Sequence, residues 1–314
     1  MANYTFSRDL IDDALFRCGE STDGSSDYET AALRYLNRAY QALWMGGAEI
    51  DPTYDEIWWW LFTKGILTLE GKITAGTVSV TKNSTSITFS TPPAPLLEST
   101  VTDWFFRTDD SNGDTFQIAQ HTAASATATL DSVYTDENSG TKTYRLFKLD
   151  YPLASDLLHL AEPMEAYQTD SGKIQGGAKI PRLLADVQEG MPQNFAFLDE
   201  QKVRFDAYPK DLARVQYQYA RKPADLTNSA TEEPLVPRHY RRLLSLLMQY
   251  WILIDKDDNR AGGAATEAAS LLRAMVRENR SRMSRTGRTG HIFTRGRTSL
   301  LPTKRMQSGL LLAP

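Results

Sequence analysis

The run Asp55-Glu56-Ile57-Trp58-Trp59-Trp60-Leu61-Phe62-Thr63-Lys64-Gly65-Ile66 decides how the chain is read, because the composition changes just after it, near Gly71. With Asp55 at its start, it predicts a third helix carrying Ile57, Trp58, Trp59, Trp60, Leu61, Phe62 and Ile66. Two helices are predicted before it. The first starts at Ser7 and lines up Leu10, Ile11, Ala14, Leu15 and Cys18, with Gly19 at its end. The second has Ser26 and Glu29 at capping-box spacing, carries Leu33, Leu36, Tyr40, Leu43 and Trp44, and ends at Gly46-Gly47. Three consecutive tryptophans on a helix point in three directions, so one small core face cannot take them all. At least one of the candidates Trp58, Trp59 and Trp60 is therefore expected at a subunit or domain interface, where Trp is enriched. The competing reading is a helix buried on every side.

Beyond Gly71 the pattern switches to period 2 and the chain is rich in Thr, Ser and Val. Thr77–Thr81 and Ser86–Ser90 predict a hairpin through Lys82-Asn83-Ser84. Val101–Arg107, Thr115–Ala119, Ala126–Val133 and Thr143–Lys148 predict further strands, separated by polar turns. Residues 151–230 mix a helix at about 180–190 with an antiparallel pair, 202–209 with 213–220. Arg238–Asp255 predicts a strong helix with Leu243, Leu244, Leu247, Tyr250, Trp251 and Ile254 as its apolar stripe. Ala264–Arg282 predicts another. The expected class is α+β: a helical-bundle body with an inserted small antiparallel β-barrel or sandwich and an extended basic C-terminal tail. The divisions are 1–71, 72–150, 151–283 and 284–314.

Of the 314 residues, 41% are apolar and 24% charged, which suits a globular chain that buries a core. No apolar run reaches the roughly 18–20 residues of a membrane span. The N-terminus, MANYTFSRDLIDD, carries no apolar signal region. The single cysteine, Cys18, excludes an intrachain disulfide and lies on an apolar helix face as a small core residue. The net charge of −4 is unevenly spread. Residues 273–305 hold nine Arg, one Lys and one Glu, a net +9, so the remainder carries −13. That asymmetry marks the C-terminus as an interaction segment.

No catalytic constellation stands out. His121, His159, His239 and His291 are scattered, with no metal-ligand spacing. Gly172–Gly177 lacks the phosphate-loop pattern. Asp255-Lys256-Asp257-Asp258-Asn259 opens like a calcium loop, but Arg260 stands where Gly is needed and Thr266 where Glu is needed. It predicts a solvated turn, with Asn259 and Gly262-Gly263 allowing the reversal. No cofactor, metal site or enzymatic role is expected.

Several segments in order carry a family resemblance: Tyr35-Leu36-Asn37-Arg38-Ala39-Tyr40, Asp150–Asp156, Val203–Pro209, Val215–Pro223, and Glu233–Pro237 followed by Tyr240. The series resembles the head-to-tail adaptors (tail tubular protein A-like) of podoviruses and covers most of the chain outside 72–150 and the tail. The insert departs from the shortest adaptors and resembles that of larger ones. The resemblance implies a dodecameric ring under the portal protein, at the portal–tail junction of a virion assembled in the host cytoplasm. The ring would carry tail tube or nozzle and tail fibre or tailspike proteins. Genomic DNA would cross its lumen without sequence-specific binding, and no membrane is involved.

The tail then predicts portal docking through Arg280, Arg282, Arg285, Arg288, Arg295 and Arg297, with Leu300, Leu301, Leu310, Leu311 and Leu312 as apolar anchors. Guanidinium forks pair with carboxylates, and repetition round a ring multiplies a modest contact. The alternatives are phosphate contacts with DNA, which would be steeply salt-dependent, or a solvated basic tail. The leucines favour a protein groove. An acidic body would repel DNA from a channel wall, or serve only solubility. The insert is expected to dock tail fibres, with Trp104 and Phe106 on one face of a strand. Its alternatives are a brace between subunits or a carbohydrate-binding module. A tail-completion or fibre-anchoring protein that never meets the portal, and a nucleic-acid-binding protein using the tail, are the rival functions.

Overall fold

The computed structural model describes residues 4–23, 27–94, 103–109, 114–135, 139–166, 173–176, 187–285 and 292–293. Its helices are α1 (Ser7–Cys18), α2 (Asp27–Trp44), α3 (Arg242–Asp255) and α4 (Ala261–Arg285). A first strand, β1 (Phe62–Leu69), follows α2. Then come β2 (Val78–Val80), β3 (Ser86–Phe89), β4 (Trp104–Thr108), β5 (Phe116–His121), β6 (Thr127–Leu130), β7 (Gly140–Lys142) and β8 (Tyr144–Lys148). The rest are β9 (Asp150–Pro152), β10 (Leu157–Ala166), β11 (Lys173–Gly176), β12 (Gln188–Glu189), β13 (Asn194–Phe197), β14 (Lys202–Phe205), β15 (Ala207–Tyr208), β16 (Ala213–Arg221) and β17 (Ile292–Phe293).

The helical-bundle body with a β insert is therefore not what forms. Seventeen strands in three sheets dominate the described residues, with four α-helices. The run Asp55–Ile66 is the reason. Trp59–Leu61 makes one 3-10 turn and Phe62–Leu69 is a strand, not the end of a third helix. Gly65 inside the run and β-branched Thr63, Ile66 and Thr68 disfavour a helix and suit a pleated surface. Leu67 and Leu69 face inward while Ile66 and Thr68 are exposed, a period of two.

This strand changes the architecture because β1 pairs along its whole length with β16, with Phe62 opposite Ala220 through Leu69 opposite Ala213. The body sheet runs β1-β16-β10-β11-β13-β14-β9, with β17 added on β10. Side chains from its first strand, Leu67 and Leu69, and its last, Tyr151, share one apolar cluster with Leu160, Phe195 and Val215. The sheet thus curls round its own core. The two ends meet where the Tyr151 hydroxyl accepts the Glu70 N–H at 2.9 Å. The expected pairing of 202–209 with 213–220 does not occur: β14 pairs β13 and β9, and β16 pairs β1 and β10. Most of the helix expected at 180–190 lies outside the described residues, and Gln188–Glu189 is a short strand pairing β15.

Gly65 is required by this sheet. It lies opposite Tyr217, and a Cβ there would stand 2.2 Å from the ring. The Tyr217 hydroxyl accepts the Ala154 N–H at 3.0 Å, which holds the ring in place. Gly65→Ala is expected to lower stability by about 1–3 kcal/mol, as overpacking does. Urea denaturation of the full chain would read it, and an unchanged midpoint would mean that the ring moves aside freely.

The second large sheet, β7-β2-β3-β6-β5-β4-β8, comes from residues 78–148. Its end strands β7 and β8 follow each other in the chain, so the sheet curls into a nearly closed barrel round Val78, Phe89, Phe106, Ile118 and Tyr144. Its β2–β3 hairpin turns at Asn83, whose φ is +62°. A small cluster of Phe105, Phe147, Leu149, Val187 and Tyr208 joins barrel to body. Beside it Arg204 grips Asp150 with two bonds of 2.6 and 2.8 Å and lies over the Phe105 ring. That paired geometry holds two charges where burial would otherwise be costly.

The four helices form a third core with Trp58, Trp60, Leu61 and Ala220, at the β16 end of the body sheet. Helix α3 is its centre, buried from Leu243 to Met248. Helix α1 begins differently from expectation. Asp9 accepts the Thr5 and Phe6 N–H groups, while the Ser7 hydroxyl donates to the Ser229 carbonyl. The capping box expected at Ser26 lies outside the described residues.

Candidate assembly surfaces

The surfaces expected to bind partners are the triple tryptophan, the barrel aromatics and the basic tail. The tryptophans separate. Trp58 is wholly buried, its Nε1 donates to the Leu43 carbonyl, and it stacks on buried Trp60 at 6.5 Å. Neither is available to another subunit, which corrects the interface expectation for both. They precede a strand instead of lying on a helix, so the three-direction argument does not apply. Trp59 alone is partly exposed, and the Arg282 guanidinium lies 4.2 Å above its ring.

Trp104 and Phe106 point into the barrel core, 7% and 0% exposed, so the fibre-docking expectation for them is also corrected. They do share one side of β4, as alternation requires, but that side faces inward. Phe105, on the other side, is buried in the junction cluster. All three rings hold structure.

The tail departs from the end of α4, and that end is clamped to the body. The buried Asn279 carboxamide accepts the Trp59 N–H at 2.9 Å and donates to Glu56 and the Ile57 carbonyl at 3.0 and 3.1 Å. Arg280 pairs with Glu56 at 2.7 Å and Arg282 with Glu278 at 2.7 Å. These two arginines, expected to dock the portal, are thus partly engaged within the chain. Arg280 keeps 63% of its side chain exposed. Glu278 is a hub: it also accepts the Tyr240 hydroxyl at 2.7 Å and faces His239 at 3.3 Å. The Tyr240 hydrogen bond, with the Arg282 and His239 contacts, holds the Glu278 carboxyl below the usual carboxylate range. Tyr240 is pushed up to about 12, first by burial. Arg285 is the last residue of α4, and Arg288, Arg295, Arg297, Leu300, Leu301, Leu310, Leu311 and Leu312 lie outside the described residues.

A surface the sequence did not single out lies on α2 and α3. Of the residues read as core stripe, Ile254 is 47% exposed and Trp251 is only partly buried against the helical core. Trp251 stacks with Tyr35, and Arg38 lies 4.6 Å from its ring. Trp, Tyr and Arg side by side are the residues that carry binding energy at interfaces. The signal was the breadth of the apolar stripe, too wide for one buried face.

Arg241 was also missed. It is 7% exposed, donates to the Val236 and Pro234 carbonyls and to Glu233, each at 2.9 Å, and reaches the Tyr4 and Thr5 carbonyls. It ties the N-terminal segment and the 233–237 loop to the start of α3. Prolines at 234 and 237 were a usable signal, because carbonyls there have no helix or ladder to receive them.

Among the described residues no group of three or more His, Cys, Asp or Glu converges as a metal-ligand set. Asp258 accepts the Arg260 N–H and Asp257, at φ +53°, makes the reversal between α3 and α4 that was expected of Asn259 and Gly262-Gly263, the two glycines lying in α4 instead. Burial pushes the Cys18 thiol up to about 11, well away from a reactive thiolate. No described helix is long and apolar enough to cross a membrane. No protein-family model matches the chain, and no curated protein matches it significantly.

Proposed function

We propose that this chain is a structural head-to-tail adaptor of a tailed bacteriophage, assembling as a ring on the portal and carrying tail proteins below. The observation that carries the reading is the charge segregation, a +9 segment over 273–305 against −13 elsewhere, with the basic segment beginning in the clamped last turns of α4. A fixed point of departure supports a docking tail, because tethering raises its effective concentration at a partner. The ordered series of adaptor-like segments supports it independently. The Arg204 guanidinium, held by Asp150 within the body sheet and lying over the barrel's Phe105 ring, suits a mechanical part, since it braces the link between barrel and body.

The test mixes the purified chain with portal rings of the same phage and weighs and images the product, beside a version ending at Ser284. The full chain is expected to add a closed layer of twelve 35.3 kDa copies per portal ring, and the truncated chain none. Absence of binding by both would overturn portal docking and favour a tail-side protein anchored through the barrel. Salt-sensitive DNA affinity that vanishes on truncation would favour the nucleic-acid reading.

A further inference from the structure

We propose that the outer edge of β10 is a strand-acceptor site, filled in the assembled ring by the Ile292–Phe293 strand of a neighbouring copy of this chain. The inference rests on the ring reading above.

One edge of β10 pairs with β16. The other receives β11 at Met164 and Glu165 and β17 at Leu160 and Ala161. That second edge therefore takes an extended segment from the C-terminal region, antiparallel, with Leu160 opposite Phe293 and Ala161 opposite Ile292. Two paired residues supply few hydrogen bonds, and each residue ordered to make them costs backbone entropy. Within a lone chain this contact is weak and exchangeable.

A neighbouring copy offers the same edge, so exchange needs no new surface. The same bonds form between chains in place of within one. Six residues, 286–291, separate the end of α4 from Ile292 and span roughly 20 Å at full extension. That reach confines the strand to acceptors close to the end of α4, and short hinges favour exchange. Charge does not oppose exchange: the segment from 273 onward is basic, and a neighbour's remainder carries the same −13 as its own. Every copy then donates one strand and accepts one, a heterologous contact that closes under cyclic symmetry. The residues after Phe293 remain for the portal.

The test is the double variant Ala161→Cys/Ile292→Cys of the full chain. Directly opposed positions bring Cβ atoms within disulfide range, and the native Cys18 is buried. Portal-bound rings, formed first under reducing conditions to verify folding and imaged in the same sample, are mildly oxidised and run on a denaturing non-reducing gel. The expected result is a ladder of covalent multimers, absent from each single-cysteine variant. Intact rings that yield only intrachain-linked monomers would overturn exchange and leave the adaptor reading standing. Intact rings with no cross-link would overturn the acceptor site itself. If no ring forms, the adaptor reading falls and the exchange with it, and the imaging distinguishes that case.

Discussion

Arg241→Met is expected to cost about 3–5 kcal/mol of folding stability, the range seen when one member of a buried charged network is removed. The guanidinium is the shared donor for the carbonyls of Tyr4, Thr5, Pro234 and Val236 and for Glu233. Methionine fills much of the volume but donates nothing, and a buried carbonyl without a donor costs about 1–3 kcal/mol. Arg241→Lys should lie between, because an ammonium cannot present a planar fork. Urea denaturation of the three proteins measures the order. A loss below about 1 kcal/mol for the methionine variant would mean that water replaces the fork and that the N-terminal segment is not held by it.

Trp58→Ala should be comparably severe, about 3–5 kcal/mol, through lost burial and the cavity left behind. The indole sits where α2, the 3-10 turn and α4 meet, beside Leu272 and Gly47. Trp58→Phe separates packing from bonding. It keeps much of the apolar contact but removes the donor to Leu43, so about 1–3 kcal/mol should be lost. Equal losses for both variants would show that the hydrogen bond, not the ring volume, holds the site.

Local patterns in the sequence were legible where one face of an element is buried. The alternation at 77–81 and 86–90 marks β2 and β3, and Leu10, Ile11, Ala14 and Leu15 mark α1. The architecture was not legible, and the failure lies in one segment. Trp58 to Phe62 is apolar without interruption, so it has no period, and such a run does not distinguish helix from strand. The information lay just beyond, in Gly65 and the Leu67–Leu69 alternation. Reading Asp55–Ile66 as a helix removed the first part of a long strand of the body sheet and made the body look helical. The expected docking aromatics failed for a related reason. Alternation says that Trp104 and Phe106 share a face, but not whether that face looks inward, which closure of the barrel decides. Asn279 is invisible locally, since its partners lie more than 200 residues away in the chain, as is the part of Arg241's network that reaches Tyr4 and Thr5.

The pairing of β1 with β16 also has a consequence for synthesis. Phe62 and its partner Ala220 are separated by the whole barrel and half of the body. At about 5–20 residues per second on the ribosome, β1 emerges on the order of ten seconds or more before its partner exists. The barrel, made of residues 78–148, is complete in the interval and can fold while the strand before it is still single. Contacts so distant in sequence also slow folding after release. The nascent chain therefore carries an unpaired strand behind a finished barrel, which makes β1 the segment where chaperone protection during translation would matter most.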